Sequence, residues 1–462
     1  MPAKQRWTNH LEVSQARTGT SRGNNRDMES TRLFDPETYM HGVPYELMAK
    51  LREAAPIHWI EEPSVMGWEE GPGYWAVLTH ELVNRVLRDP AMFSSHHGAT
   101  QIRDPGTSDM LAFVQRMMLN QDPPSHTRLR RLLTKSFTPS AVAKLESGIT
   151  KRATSIVDRL VSIGHADFAR EAAELPLMTL AEIMGVPEQD RMLLFDWSNR
   201  VIGYQDTEYS TSDQFDPETG TEMAQKSRAI RDQIGSDDNG RMPDPRSREG
   251  LADMYFYAAE LAQYRRQHPG GDVVSILLAT ADEQGAITTE EFETMFFLFA
   301  VAGNETLRNA IPGGMLALLE HPEQMNKLIS RQELLPSAIE EMLRYSPPVI
   351  HFRRTATEDI DLAGAKIKKG DKVVVYHAAA NRDPQVFENP DKFDIERSPN
   401  DHVTFGAGPH FCLGAHLARI QMSAMFDQVL TRLPNLSLNG RPEHLVSNFQ
   451  NGLKHLPLKW DL

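Results

Sequence analysis

Cysteine is almost absent: a single one stands in a chain of 462 residues. No intrachain disulfide can form, so nothing asks for an oxidising compartment, and a structural zinc site built from several thiolates is excluded. Positive charge is also scarce. Lys and Arg number 49 against 63 Asp and Glu, a formal net charge of −14, whereas a nucleic-acid binder needs a basic face to meet phosphate. Long apolar runs are missing too. The longest strongly apolar stretch, MFFLFAVAG from Met295 to Gly303, falls well short of the roughly 18 residues that suggest a membrane span. The N-terminal stretch over residues 1–30 is polar and has no apolar core of the signal-peptide kind. The expectation is a cytoplasmic protein with no membrane span and no nucleic-acid partner, led by a disordered segment over 1–30.

What is present is an ordinary soluble composition, 40% hydrophobic and 24% charged. Helical patterns dominate, interrupted by a few short strands. This predicts a mainly α fold with a small β region, built as one large domain over 31–462. The stretches IHWI (Ile57 to Ile60) and YWAVL (Tyr74 to Leu78) are rich in β-branched and aromatic residues and read as strands. Residues 368–371, KKGD, read as a turn between two more. Residues 203–250 are polar, acidic and rich in Asp, Ser, Gly and Pro. They read as one long loop, either a substrate-access lid or a merely mobile connection.

Two helices stand out. Thr288 and Thr289 precede Glu290 and Glu291, a cap followed by acids in the first turn, and the helix then runs apolar on all sides. Such a helix belongs in the middle of a molecule. The other follows the lone cysteine, with Leu413, Leu417, Ile420, Ala424 and Met425 at helical spacing.

The cysteine, Cys412, sits in VTFGAGPHFCLGAHLAR, Val403 to Arg419. A solitary Cys is ordinarily a small buried hydrophobe. Here Gly406, Gly408 and Gly414 surround it, and glycine admits positive φ and close approach of another body. The position at a helix start predicts a lowered thiol pKa, because free N–H groups and the helix dipole favour thiolate. A thiolate here serves as a nucleophile with His410 or His416 as base, or as the single axial ligand of a haem iron, where it pushes electron density toward bound oxygen.

The stretch FGAGPHFCLG, Phe405 to Gly414, resembles the haem-binding loop of the cytochrome P450 family. The resemblance runs from about residue 35 to the C-terminus. It implies a cytochrome P450 fold with haem b (iron protoporphyrin IX) buried between two central helices and Cys412 as the iron ligand. Phe405, Gly406 and Gly414 would border the haem. By the same resemblance His126 and Arg130 of DPPSHTRLRR, Arg354 of FRRTATED and His410 contact the haem propionates. Glu341 and Arg344 of EEMLR, with Arg397 of FDIER, match the family's structural ionic network. Glu305 and Thr306 of AGNET match the acid and alcohol that deliver protons to dioxygen. Bare residue chemistry adds two expectations there. Gly303 inside a helix costs about 1 kcal/mol relative to Ala, so something approaches the backbone. The Thr306 hydroxyl turns back to the carbonyl of Ala302.

The implied function is insertion of one oxygen atom of O2 into a C–H bond. Electrons would come indirectly from NAD(P)H through a ferredoxin reductase and a ferredoxin, meeting a basic face of Arg128, Arg131 and Lys135. The motifs resemble members that oxidise sterol side chains and branched or long-chain lipids, and a terpenoid also fits. By family position Met118, Phe299, Ala302, Val349, Phe352 and Leu453 line the substrate pocket. The alternatives are a peroxide-driven hydroxylase of the same fold and a non-catalytic haem-thiolate binding protein.

Overall fold

The structure is a computed structural model and describes residues 29–235, 243–244, 247–282 and 285–462. The expected leader falls outside the described residues except at its end. Nine helices carry the argument: α1 (Ser125–Thr134), α2 (Pro139–Leu160), α3 (Phe168–Met184), α4 (Arg191–Ile202), α5 (Glu222–Gln233), α6 (Ala252–Gln267), α7 (Thr289–Glu320), α8 (Leu335–Tyr345) and α9 (Ala415–Arg432). Strands β1 (Ile57–Ile60), β2 (Tyr74–Val77), β3 (Phe93–Ser94), β4 (His351–Ala356), β5 (Ile360–Leu362), β6 (Ala365–Ile367) and β7 (Lys372–Tyr376) form the β region. The main sheet runs β1-β2-β7-β4-β3. The 368–371 turn does join two strands, but they serve different sheets: β6 pairs with β5, and β7 with β2 and β4.

Helix α7 begins as its sequence dictates. Thr288 accepts from the Glu291 N–H, Glu291 caps back to Thr288, and the two bonds satisfy donors that a helix start otherwise leaves free. It packs on α3 and α4, while α9 packs on α2 and α8. Phe292, Met295, Phe296, Phe297 and Ala300 are buried in these contacts. Burial of a large apolar side chain contributes about 1.5–3 kcal/mol.

The 203–250 segment is not a single loop. It holds α5, which packs on α6, and its flanks are stitched to the body. Asp196 accepts from Ser212 Oγ and the Gln214 and Phe215 N–H groups, and Asp190 accepts from Thr221. The buried residues of α5 are Ala224 and Ser227, too small and polar to print a hydrophobic period.

Candidate active site

Cys412 lies on the floor of a cavity of about 280 Å³ between α7 and the loop that leads into α9. Backbone bonds hold that loop: the Cys412 N–H donates to the Phe405 carbonyl at 2.9 Å, and Arg130 reaches the Phe411 carbonyl at 2.6 Å. Gly408 has φ +68°, and a Cβ there would stand 2.4 Å from the Leu87 carbonyl oxygen. Its clearance serves the backbone beside it. Gly414 has open space at its Cβ position, and with Phe405 and Gly406 it borders the cavity.

The thiol pKa is not lowered as expected. Burial pushes it up and outweighs the Gly414 N–H bond and the charges of Arg130 and Arg419, which pull it down. Coordination of a metal ion would deprotonate such a thiol outright.

Four basic side chains converge on the same cavity: His126, Arg130, Arg354 and His410. Strand alternation selects Arg354 over its neighbour, since Arg353 points the other way and pairs with Asp104 at 2.7 Å. The rings of His126 and His410 are 4.1 Å apart. Burial first, then the charges of Arg130 and Arg354, drives His126 down to about 4 and His410 to about 2, and burial takes Arg354 to about 10. The nearby Asp122 is engaged by Ser94 Oγ and the Ser95 N–H. This set fits an iron porphyrin: one sulfur on the floor, apolar walls, and two arginines with two neutral imidazoles that could donate to the propionates.

Behind the loop, Glu341 and Arg344 of α8 are fully buried and bonded at 2.7 and 2.8 Å. Arg397 joins at 3.2 Å. Arg344 also donates to the Asn381 carbonyl, and Asn381 binds the Val403 N–H and Thr404 Oγ1 just before the cysteine loop. The network therefore braces the loop without touching the cavity.

A second cavity of about 130 Å³ adjoins the first, and the two share Leu119, Leu298, Ala302, Thr306, Val349 and Phe352. Met118 and Phe299 line only the cysteine side. Leu453 lines neither. It packs in the large helical core, while Val349 bridges Gln450 and brings Phe449 and Gln450 to the cavity instead. Thr306 Oγ1 donates to the Ala302 carbonyl at 3.1 Å, as the sequence predicts. The body that approaches Gly303 is Leu180 of α3, 2.7 Å from where a Cβ would be.

Glu305 is 1% exposed and not left alone. Arg308, one turn on, donates to Oε1 at 2.6 Å, and Ser198 of α4 donates to Oε2 at 2.8 Å. The Arg308 guanidinium lies 4.8 Å from the Phe195 ring centre and 4.6 Å from that of Tyr209. Sequence reasoning missed this pair. The i,i+3 spacing of Glu305 and Arg308 was its only local sign.

On the outer face, Arg131 is exposed, but Arg128 is engaged by Glu291 and is no free cation. The Lys135 side chain lies outside the described residues. On the far side of the loop Arg419 of α9 grips Glu340 of α8 through two bonds of 2.6 and 2.7 Å, with His402 at 3.2 Å. Burial pushes the Glu340 carboxyl up, but these partners prevail and bring it from 4.5 to about 2. The stability it contributes is therefore complete above about 4.5 and lost as pH falls toward 2. The urea-midpoint difference between the wild type and Glu340→Gln should be constant from neutral pH down to about 5 and shrink below it. A difference that grows on acidification would contradict this pairing.

A site of this kind defines a class, proteins that hold a haem through one axial sulfur. The Cytochrome P450 family model matches residues 254–444. A steroid C26-monooxygenase of Rhodococcus jostii (strain RHA1) is 37% identical over 430 residues, covering 92% of this chain and 84% of the relative. A methyl-branched lipid omega-hydroxylase of Mycobacterium bovis (strain ATCC BAA-935 / AF2122/97) is 35% identical, covering 89% of this chain and 90% of the relative. Among solved structures, a Mycobacterium marinum cytochrome P450 in complex with pseudoionone aligns with a TM-score of 0.80 at 31% identity, covering 96% of this chain and 100% of that one. The chain belongs to the cytochrome P450 family and is an oxidoreductase of the monooxygenase type. The family uses haem iron and dioxygen. Among the described residues no helix is long and apolar enough to cross a membrane.

Proposed function

We propose that this protein is a cytoplasmic, ferredoxin-dependent hydroxylase of a hydrophobic lipid, either a sterol side chain, a branched or long chain, or a terpenoid. The observation that carries this reading is the apolar second cavity, which meets the cysteine cavity at Ala302 and Thr306. The names of the relatives, steroid C26-monooxygenase and methyl-branched lipid omega-hydroxylase, point the same way.

When bound, haem b held by Cys412 supplies reductive activation of dioxygen. Arg130 and Arg354 would neutralise its propionates, and His126 and His410 would donate ring N–H bonds to them. Apolar walls formed by Phe299, Val349 and Phe352 exclude water and orient the substrate beside Thr306. Thr306 Oγ1, tied to the Ala302 carbonyl, offers its lone pairs to the cavity and passes a proton on. Glu305, its two oxygens held by Arg308 and Ser198, is the carboxylate that takes up a proton and relays it toward that hydroxyl. Arg131 is available to an acidic ferredoxin.

The test supplies NADPH, a ferredoxin reductase and a ferredoxin to the holoenzyme with sterols, fatty acids and terpenoids. Oxygenated product that depends on both electron-transfer proteins is expected. Product only with peroxide, or haem binding without turnover, overturns the proposal. Thr306→Ala should keep haem and substrate binding while NADPH consumption drains into peroxide, cutting product per electron by about a hundredfold, the lower end of the scale of lost acid–base catalysis. Unchanged coupling would remove Thr306 from the proton route.

A further inference from the structure

Helix α8 carries two acids side by side, Glu340 and Glu341, and adjacent positions on a helix point about 100° apart. Glu341 turns to Arg344 and Arg397 in the interior. Glu340 turns to a different partner, Arg419, which stands in the second turn of α9 beyond Cys412. Each nitrogen of that guanidinium is committed. Nε and Nη2 donate to Glu340 at 2.6 and 2.7 Å, and Nη1 reaches the Ala415 carbonyl at 3.3 Å.

The Arg419 guanidinium carbon stands 4.5 Å from the centre of the Phe405 ring, close enough for cation–π attraction. Phe405 belongs to the setting of the sulfur. Its carbonyl accepts the Cys412 N–H at 2.9 Å, and it lines the cavity with Cys412, whereas Arg419 does not. The cation therefore sits one ring behind the cysteine loop. His402 completes the group. The Thr404 N–H donates to its Nδ1 at 3.3 Å, so the neutral ring carries its proton on Nε2 and donates to Glu340 at 3.2 Å. The result is an ion pair with a neutral third member, its positive side against the ring. Burial opposes a thiolate at Cys412, and Arg419 is among the charges that favour it.

A charge held rigidly near a redox centre, away from bulk water, biases its oxidation state. A cation favours the form that carries one electron more, and an anion favours the other. We infer that Arg419 is a positioning residue that acts through Phe405 on the sulfur ligand, and that the Arg419–Glu340 pair sets the reduction potential of the haem iron. The guanidinium favours the ferrous form, and the carboxylate limits how far. This inference rests on the reading of Cys412 as the axial ligand and goes beyond it, because it assigns the tuning of that ligand to a pair outside the cavity.

Spectroelectrochemical titration of the substrate-free holoenzyme at neutral pH tests it without turnover. Arg419→Gln leaves the Glu340 carboxylate uncompensated and should shift the ferric–ferrous equilibrium about tenfold toward ferric, a fall of ~59 mV for a one-electron couple. Glu340→Gln releases the guanidinium charge and should raise the potential, and the double variant should fall between the two. Arg419→Lys keeps the charge and should hold the equilibrium within about twofold of the wild type. Opposite signs are the mark of charge, since damage to the loop would move both potentials alike. Should Arg419→Gln fail to retain haem, the sign of the Glu340→Gln shift alone decides. An unmoved potential in Arg419→Gln, an equal fall in Arg419→Lys, or shifts of one sign in both single variants overturns the inference and leaves Cys412 as the ligand. A wild-type carbon-monoxide spectrum without the thiolate band removes Cys412 from that place, and the inference falls with it.

Discussion

Cys412→Ser should yield a folded protein whose reduced, carbon-monoxide-treated form lacks the red-shifted Soret band of a thiolate-bound haem and whose monooxygenase activity is below detection. The loop does not depend on the sulfur for its shape. The Cys412 N–H to Phe405 carbonyl bond, the Arg130 bond to the Phe411 carbonyl and the close fit of Gly408 against Leu87 all involve backbone atoms of the loop. Serine occupies nearly the same volume, so folding is spared. What is lost is the soft, deprotonated ligand, because a serine hydroxyl is a poor thiolate substitute for iron. Circular dichroism and haem content establish that the fold persists, and the carbon-monoxide difference spectrum reads the ligand. A thiolate band that survived the substitution would remove Cys412 from its assigned place.

Glu341→Ala should destabilise the protein by about 3–5 kcal/mol, the cost of stranding buried charge. The carboxylate receives two bonds from Arg344, one or two from Arg397, one from Asn400 and one from the Asp394 N–H. Arg344 is fully buried, and its other donors are already committed to the carbonyls of Asn381, Pro390 and Lys392. Removing the acid leaves two guanidinium groups without a counter-charge beside the element that positions Thr404 and Val403. Total stabilities of domains run to about 5–15 kcal/mol, so a large fraction is at stake. Expression should shift toward aggregates, and the soluble fraction should carry less haem per chain. A urea-midpoint change equivalent to less than about 1 kcal/mol would show that the network is not the brace described here. Glu341→Gln keeps the shape and some acceptors and should fall between the two.

How much of this was legible in advance depended on the range of the interactions. The capping of α7 by Thr288 and Glu291, the strands β1 and β2, the turn at 368–371 and the return of Thr306 to Ala302 are contacts within a few residues, so spacing alone exposes them. The loop around Cys412 is contiguous, and its resemblance to a known family carried the haem reading. One unnamed neighbour and two misreadings had a common origin. A close neighbour at Gly303 is expected from the sequence and is there, but its identity, Leu180, lies 123 positions earlier in the chain. Leu453 was placed at the pocket, but its strand turns it into the helical core. The acidic 203–250 segment concealed α5, which is capped by Thr221 bonded to Asp190 and packs on α6, both partners lying outside that segment.

The sequence by itself determined the family, the lone sulfur, the buried helix with its acid-alcohol pair and the set of basic residues assigned to the haem edge, because each is written in residue types at short, fixed spacing. Only the tertiary structure decided which of those residues act together. It drew Ser198 and Arg308 onto Glu305, withdrew Arg128 by pairing it with Glu291, and raised the Cys412 thiol by burial. Desolvation and partner choice arise from elements distant in the chain, and no local pattern records them.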